Sequence, residues 1–561
     1  MDPELNAIAS DYWDFTLRTS PTFATLIGDH RFDDQIEDYS VDAEILQRQN
    51  LERFTERLAG IEPDDLDPTD RVTHQLLGVD IDNSIRLIDL GVIELQSDQM
   101  NGPHIGALMA APQLAAETPE HAHALLERFS KLAGALDQAA DRFRAAVARD
   151  RPPAALCIDR AIHSIDGYLA SPLDDDLFVN LTGPHDWDGE TLWRERLREV
   201  VTTSIRPGYQ RMRDMLAQEL GPVARPDDRA GLCWIDGGEE IYAALLETYT
   251  SLPVTPDELH AFGIEEAEQR LPAAYREIGG RVFDTDDLAT IFERLRTDPE
   301  LRYRSEDEIM ELARSSLDRA HAAMGDWFGR LPQAPCRIEP VPSVLADDAP
   351  AAYYFPPTAD GSRPGTYFVN LRTPTDQSRF EAEAIAYHEA IPGHHLQLAI
   401  ASELTHLPAF RRLGFGNTAY IEGWGLYAER LAEEMGLYSD DTARLGMLAA
   451  DSWRSGRLVV DTGLHAKGWS RQQAIDYFVA NTPVAKGEIE VEIDRYVAIP
   501  GQAVAYKVGQ REILRLREQA RQALGDRFDI AGFHDVVLGS GGVVLPVLAD
   551  LVERWVADQA G

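Results

Sequence analysis

The stretch Phe380-Glu-Ala-Glu-Ala-Ile-Ala-Tyr-His-Glu-Ala-Ile-Pro-Gly-His-His-Leu-Gln397 decides how the rest of the chain is read. Up to Ile391 it has good helix formers, no Gly or Pro, and an apolar stripe through Phe380, Ala384 and Tyr387, so it predicts a helix. His388 and Glu389 fall near the end of that helix. The zinc motif H-E-x-x-H puts two histidines on one helix face, one turn apart, with the Glu as general base. Here its fifth position is Pro392. The next histidines, His394 and His395, come six and seven residues after His388, about 9 and 10.5 Å along a regular helix. Neither spacing lets two nitrogens each lie about 2.0–2.1 Å from one ion. Pro392 cannot continue the hydrogen-bond ladder, and Gly393 permits unusual dihedrals. A bulge that absorbs two residues is therefore expected. It would make His394 the second ligand, with His395 as the other candidate. A plain helix end with Pro-Gly as its stop accounts for one histidine, but poorly for three histidines and a glutamate within eight residues.

A catalytic zinc site has three protein ligands and an open position for water. Thr418-Ala-Tyr-Ile-Glu-Gly-Trp-Gly-Leu-Tyr-Ala-Glu429 reads as a second helix and supplies a carboxylate at Glu422, set among Tyr420, Gly423 and Trp424. Glu429 shares its face at seven-residue spacing. Its neighbours Arg430 and Glu433 give it the look of a solvated or ion-paired residue. The alternative for Glu422 is a buried glutamate paired with an arginine, since an unpaired buried carboxylate is costly.

His-Glu-Ala-Ile-Pro-Gly-His-His-Leu-Gln followed by Tyr-Ile-Glu-Gly-Trp-Gly-Leu-Tyr-Ala-Glu resembles the DUF885 family. Arg457-Leu-Val-Val-Asp-Thr-Gly-Leu-His465 and Arg495-Tyr-Val-Ala-Ile-Pro-Gly-Gln-Ala-Val-Ala-Tyr-Lys-Val-Gly509 extend the resemblance along nearly the whole chain. The family is regarded as zinc-peptidase-like, distantly similar to thimet-type oligopeptidases, carboxypeptidase Taq and angiotensin-converting enzyme. The resemblance implies a mainly α, two-lobed, zincin-like body with a deep cleft. Residues 1–330 would form an N-terminal helical lobe and 331–561 a catalytic lobe. It implies Zn2+ on His388, His394 and Glu422, with Glu389 as general base. Related metallopeptidases stabilise the oxyanion with a downstream Tyr or His; Tyr506 is the first candidate here and Tyr496 the second. His395 and Arg495 are candidates for substrate contact, Arg495 by bidentate pairing with a substrate carboxylate.

The expected activity is hydrolysis of peptide or related amide bonds. A non-catalytic metal protein, or a non-heme iron oxygenase with the same two-histidine, one-carboxylate set, are the alternatives. Glu389 beside His388 argues against both, because neither needs a base there.

Composition narrows the partners. The chain of 561 residues carries 95 acidic and 53 basic side chains, a formal net charge of −42. The acids are spread along it, and lysine is nearly absent. Such self-repulsion is costly in dilute buffer, but at molar salt the screening length falls to about 3 Å. This points to a high-salt cytoplasm, and it argues against nucleic acid as a partner. Cys157, Cys233 and Cys336 suggest free thiols in a reducing compartment rather than a disulfide framework. No basic, apolar leader and no run of about 18 apolar residues is seen, so neither export nor a membrane span is expected.

Further along the chain, Gly28-Asp-His-Arg-Phe-Asp-Asp34 reads as a turn between helices. His104 sits in an expected loop, and residues 119–150 read as a helical pair. Breaks are expected near 150–155, 221–232 and 331–350. Short strands are expected from Cys336, Ala351 and Gly365 onwards, forming a hairpin or small sheet beside the metal helix. Asp461 and His465, four apart on one helix face, are candidates to orient a ligand histidine.

Overall fold

The computed structural model describes residues 2–342, 346, 349–357, 363–414 and 416–560. Parts of the expected 331–350 break and of the Gly/Pro turn before Gly365 lie outside the described residues. The chain is mainly helical with one small sheet, and it divides into two units. The first contains residues 1–244, 464–472 and 494–500; the second contains 245–463, 473–493 and 501–561. Residues 245–330 thus group with the C-terminal half, whereas the expected boundary lay at 330/331.

In the first unit, α1 (Pro3–Thr19), α2 (Val41–Leu58), α3 (Pro68–Leu90), α4 (Pro119–Ala148) and α5 (Ala155–Ala170) carry most of the helix. Side-chain caps start several of them. The Asp67 carboxylate accepts the Thr69 and Asp70 N–H groups at the head of α3, and Gly91 ends that helix at φ 67°. α4 is one continuous helix where a pair was expected. Its buried positions Leu125, Phe129, Leu132, Leu136, Ala139 and Phe143 keep a single stripe across Gly134, so packing outweighs the weak helix propensity of that glycine. These residues form a core with Trp193, Tyr209 and Phe178. His104 lies in the first turn of a short helix rather than in a loop. It is fully buried, and burial pushes its imidazole down to about 4.

The second unit holds the sheet: β1 (Cys336–Pro340), β2 (Ala352–Phe355) and β3 (Gly365–Val369), in the order β1-β3-β2. β2 and β3 are antiparallel, as a hairpin requires, while β1 adds in parallel on the other side of β3. The unit also holds α6 (Glu306–Ala323), α7 (Ala382–Glu389), α8 (His394–Glu403), α9 (Thr418–Glu434), α10 (Asp441–His465), whose last two residues fall in the first unit, and α11 (Ala505–Leu524). β3 packs Tyr367 and Val369 against Ala382, Ala386 and Ala390 of the α7 segment and against Ile309, Ala313 and Leu317 of α6. α9 and α11 cross at two glycines. A Cβ on Gly423 would lie 2.4 Å from Gly509 Cα, and one on Gly509 would lie 1.8 Å from Ala419 O. That contact brings α11, and Tyr506 with it, close against α9.

Candidate metal centre

α7 stops at Glu389, earlier than the sequence suggests, because Ala390 leaves helical dihedrals (φ −106°, ψ −100°). A cis Ile391–Pro392 bond and Gly393 follow, and α8 begins at His394. The expected bulge is thus a full break between two helices. Gly393 is required where the chain folds back, since a Cβ there would lie 1.9 Å from His388 O and 2.4 Å from Tyr387 O. Trp424 Nε1 donates to Pro392 O at 2.9 Å and ties the turn to α9. The break brings the His394 ring beside that of His388, with centroids 4.7 Å apart and planes at 86°.

Glu422, one turn into α9, meets both rings. Its Oε2 lies 3.4 Å from His388 Nε2 and 3.5 Å from His394 Nε2. Those separations are long for hydrogen bonds between charged partners. They match the spacing of roughly 3.3 Å between donors held tetrahedrally about 2.0–2.1 Å from one ion. The three donors form one of two such groups among the described residues. His388 is held from its other side, where Nδ1 donates to Glu429 Oε1 at 2.8 Å. This keeps a proton on Nδ1 and turns Nε2 towards Glu422 and His394, where it would offer a lone pair to an ion that displaced its own proton. Burial works against a charged His388, but Glu422 and Glu429 outweigh it and push the imidazole up to about 10. Glu422 is correspondingly held well below the usual carboxylate range, its two histidine partners overcoming the cost of burial. Gly425 completes the cradle: a Cβ there would lie 2.6 Å from His388 Cε1 and 2.8 Å from Nε2. Two imidazole nitrogens and a carboxylate, one imidazole oriented by a second carboxylate, are a donor set that suits zinc.

Glu389 accepts the Tyr354 N–H of β2 at 3.0 Å, which sets the candidate base against an edge strand. Tyr506 projects from the first turn of α11, its ring centroid 6.5 Å from that of His388. The Arg457 and Arg454 guanidinium carbons lie 4.5 and 5.7 Å from the Tyr506 ring centre.

His395 does not join the cluster, neither as the second ligand nor with a ring nitrogen left for substrate. Its Nδ1 accepts from Tyr354 O–H at 2.9 Å, and its Nε2 donates to Ala334 O at 3.2 Å. Burial pushes this imidazole down to about 4, so it is neutral. Arg495 and Tyr496 belong to the first unit. Tyr496 is buried there, and its carbonyl accepts from His465 Nε2 at 3.0 Å. His465 Nδ1 accepts the Leu232 N–H at 3.1 Å, so both its nitrogens are engaged in that unit. Asp461 instead receives the Gly501 N–H at 3.1 and 3.2 Å. The residue that orients His388 is thus Glu429. It is only 1% exposed, so of the solvated or ion-paired side chain that the sequence suggested, the paired one is found, with His388 as its partner. Its seven-residue spacing from Glu422 was the available signal.

A mainly helical protein with a His-His-Glu cluster at a helix break is what these features define. The chain belongs to the family described as bacterial protein of unknown function, DUF885, whose model matches residues 21–552. It is similar to the solved structure of a protein from Colwellia psychrerythraea, provisionally described as a lipoprotein. That match has 28% identity, covers 99% of each chain and has a TM-score of 0.91. A second solved structure, from Shewanella oneidensis, is of a protein of unknown function also provisionally described as a lipoprotein. It is 19% identical over 98% of this chain and 99% of that one, with a TM-score of 0.76, which carries the fold alone. No curated protein matches the chain. Among the described residues no helix is long and apolar enough to cross a membrane.

Proposed function

We propose that the protein is a zinc-dependent hydrolase of peptide or related amide bonds, with a zincin-like centre built from His388, His394 and Glu422. The observation that carries this reading is the convergence of His388 Nε2 and His394 Nε2 on Glu422 Oε2 at 3.4 and 3.5 Å, with Glu389 next in sequence to the first ligand. A zinc ion in this set supplies a Lewis acid for a carbonyl and brings the pKa of a water towards neutrality. The chain's own groups do the rest. Glu429 holds His388 in the tautomer that presents Nε2. Glu389 takes a proton from water at its carboxylate and returns it to the leaving amine. Tyr506 takes the oxyanion role ahead of Tyr496, because its ring flanks His388 within the same unit. Loss of one such donor typically costs about 10²–10³ in rate. β2 is an edge strand beside Glu389, which suits an extended peptide substrate.

The test is metal analysis together with Glu389→Gln, assayed on a peptide library in molar salt with mass readout of the products. The variant is expected to keep its zinc and lose about 10²–10⁴ of the rate. An unchanged rate removes Glu389 as base, and a wild-type chain without bound zinc removes the reading itself. Three free cysteines and the acidic composition support a cytoplasmic location; the relatives' lipoprotein name favours an envelope location instead, and cell fractionation decides between them.

A further inference from the structure

We infer that the first unit carries a second divalent transition-metal site, formed by His30, Asp33 and His121, which clips the turn after Gly28 onto the first turn of α4. One donor atom from each of these residues lies within 4.8 Å of the others. His30 Nδ1 and Asp33 Oδ2 are 2.8 Å apart. The His121 ring lies over that of His30, with centroids 3.9 Å apart and planes at 14°.

The turn is held before any ion arrives. Asp29 caps it by accepting the Arg31 N–H at 3.1 Å, and Phe32 anchors it in the core. Arg128 of α4 donates to Phe32 O, Pro21 O and Thr25 Oγ1 at 3.0, 3.1 and 2.8 Å. Asp33 is 1% exposed, and its two oxygens are divided. Oδ1 takes the Thr25 hydroxyl at 2.6 Å and faces Arg128 at 3.9 Å, which leaves Oδ2 to His30. His121 is positioned by the Thr118 cap, which accepts its N–H at 3.2 Å.

A further feature points to a ligand. His121 Nδ1 is shut off from solvent and has no hydrogen-bond partner among the described residues, an expensive state for a polar atom that an ion would relieve. The two rings lie nearly parallel, so one of them has to turn out of the stack before both lone pairs can meet one ion beside Asp33. Two nitrogens and one carboxylate oxygen favour zinc, cobalt or nickel over magnesium or calcium. His30, with 28% of its side chain exposed, provides the way in.

The test uses the full chain, stripped with a chelator and titrated with zinc alone at micromolar concentration. His30→Gln and His121→Gln are each expected to take up one equivalent fewer than wild type, and His388→Gln one fewer independently of them. Zinc should still raise the Tm of His388→Gln, but not that of His388→Gln/His30→Gln. Circular dichroism of each metal-free variant checks that it folds. If uptake by either His30→Gln or His121→Gln equals that of wild type, the second site does not exist. If only the His388→Gln loss is missing, the second site stands and the hydrolase centre fails.

Discussion

Gly425→Ala separates the metal centre from the fold around it. The new Cβ would lie 2.6 Å from His388 Cε1, 2.8 Å from Nε2 and 3.0 Å from Nδ1. Ordinary carbon contacts begin near 3.5 Å, so the ring has to retreat by about 0.7–1 Å. It cannot do so freely, because Glu429 holds Nδ1 at 2.8 Å and Glu422 faces Nε2 at 3.4 Å. Metal–ligand distances tolerate about 0.2 Å, so the displacement is several times what a bound ion accepts. The loss in zinc affinity should at least match that of removing an outer-layer partner, about 10–100-fold. Stability is pulled both ways. Alanine gains roughly 0.8–1.0 kcal/mol over glycine inside a helix, while the forced contact costs about 1–3 kcal/mol, so the metal-free Tm should fall only modestly. Gly134→Ala, where a Cβ meets nothing within 4 Å, is the control and should raise Tm alone. Zinc affinity is read by competition with a chromophoric chelator, and Tm by calorimetry of the stripped chain. A Gly425→Ala chain that binds zinc within twofold of wild type would show that His388 is not a ligand.

Glu429→Gln keeps an acceptor for His388 Nδ1 but removes its charge, so zinc affinity should fall by about tenfold or more with little change in the far-ultraviolet circular dichroism. His465 gives a pH signature. Burial pushes its folded-state pKa down to about 4 against an ordinary 6.5. Its contribution is therefore complete above pH 6.5 and is lost as pH falls towards 4, by up to about 3 kcal/mol. His465→Gln should flatten the unfolding free energy across that window, and an unchanged slope excludes the residue as its source. With a net charge of −42, the Tm should climb between roughly 0.1 and 1 M salt as the screening length shrinks; a flat profile would mean that paired arginines already neutralise the repulsion.

The helical class, the small sheet and the grouping of His388, His394 and Glu422 were legible in the sequence because each rests on local chemistry. Periodicity marks the helices, the run from Cys336 to Leu371 carries strand formers between prolines, and Pro392-Gly393 marks an interruption, read as a bulge, that the structure shows to be a full break. What was not legible depends on which face a helix turns inward. Glu429 sits beside Arg430, and Glu433 follows four residues on, so its neighbours along the chain look like surface. Yet Arg430 reaches Asp451, at 2.5 Å, and Glu433 pairs with Arg444 at 2.6 Å, which leaves Glu429 on the inner face with Glu422. In a chain this acidic, charged neighbours are a poor sign of exposure, because many arginines are drawn inward by buried carboxylates. Sharing a face with Glu422 is the better sign, and it applies equally to Gly425, which lies between the two glutamates on the path of the His388 ring. His395 fails for the converse reason. One residue past His394, it leaves the helix on another side and meets the Tyr354 hydroxyl and the Ala334 carbonyl, because side chains adjacent on a helix point about 100° apart and cannot converge on the same point.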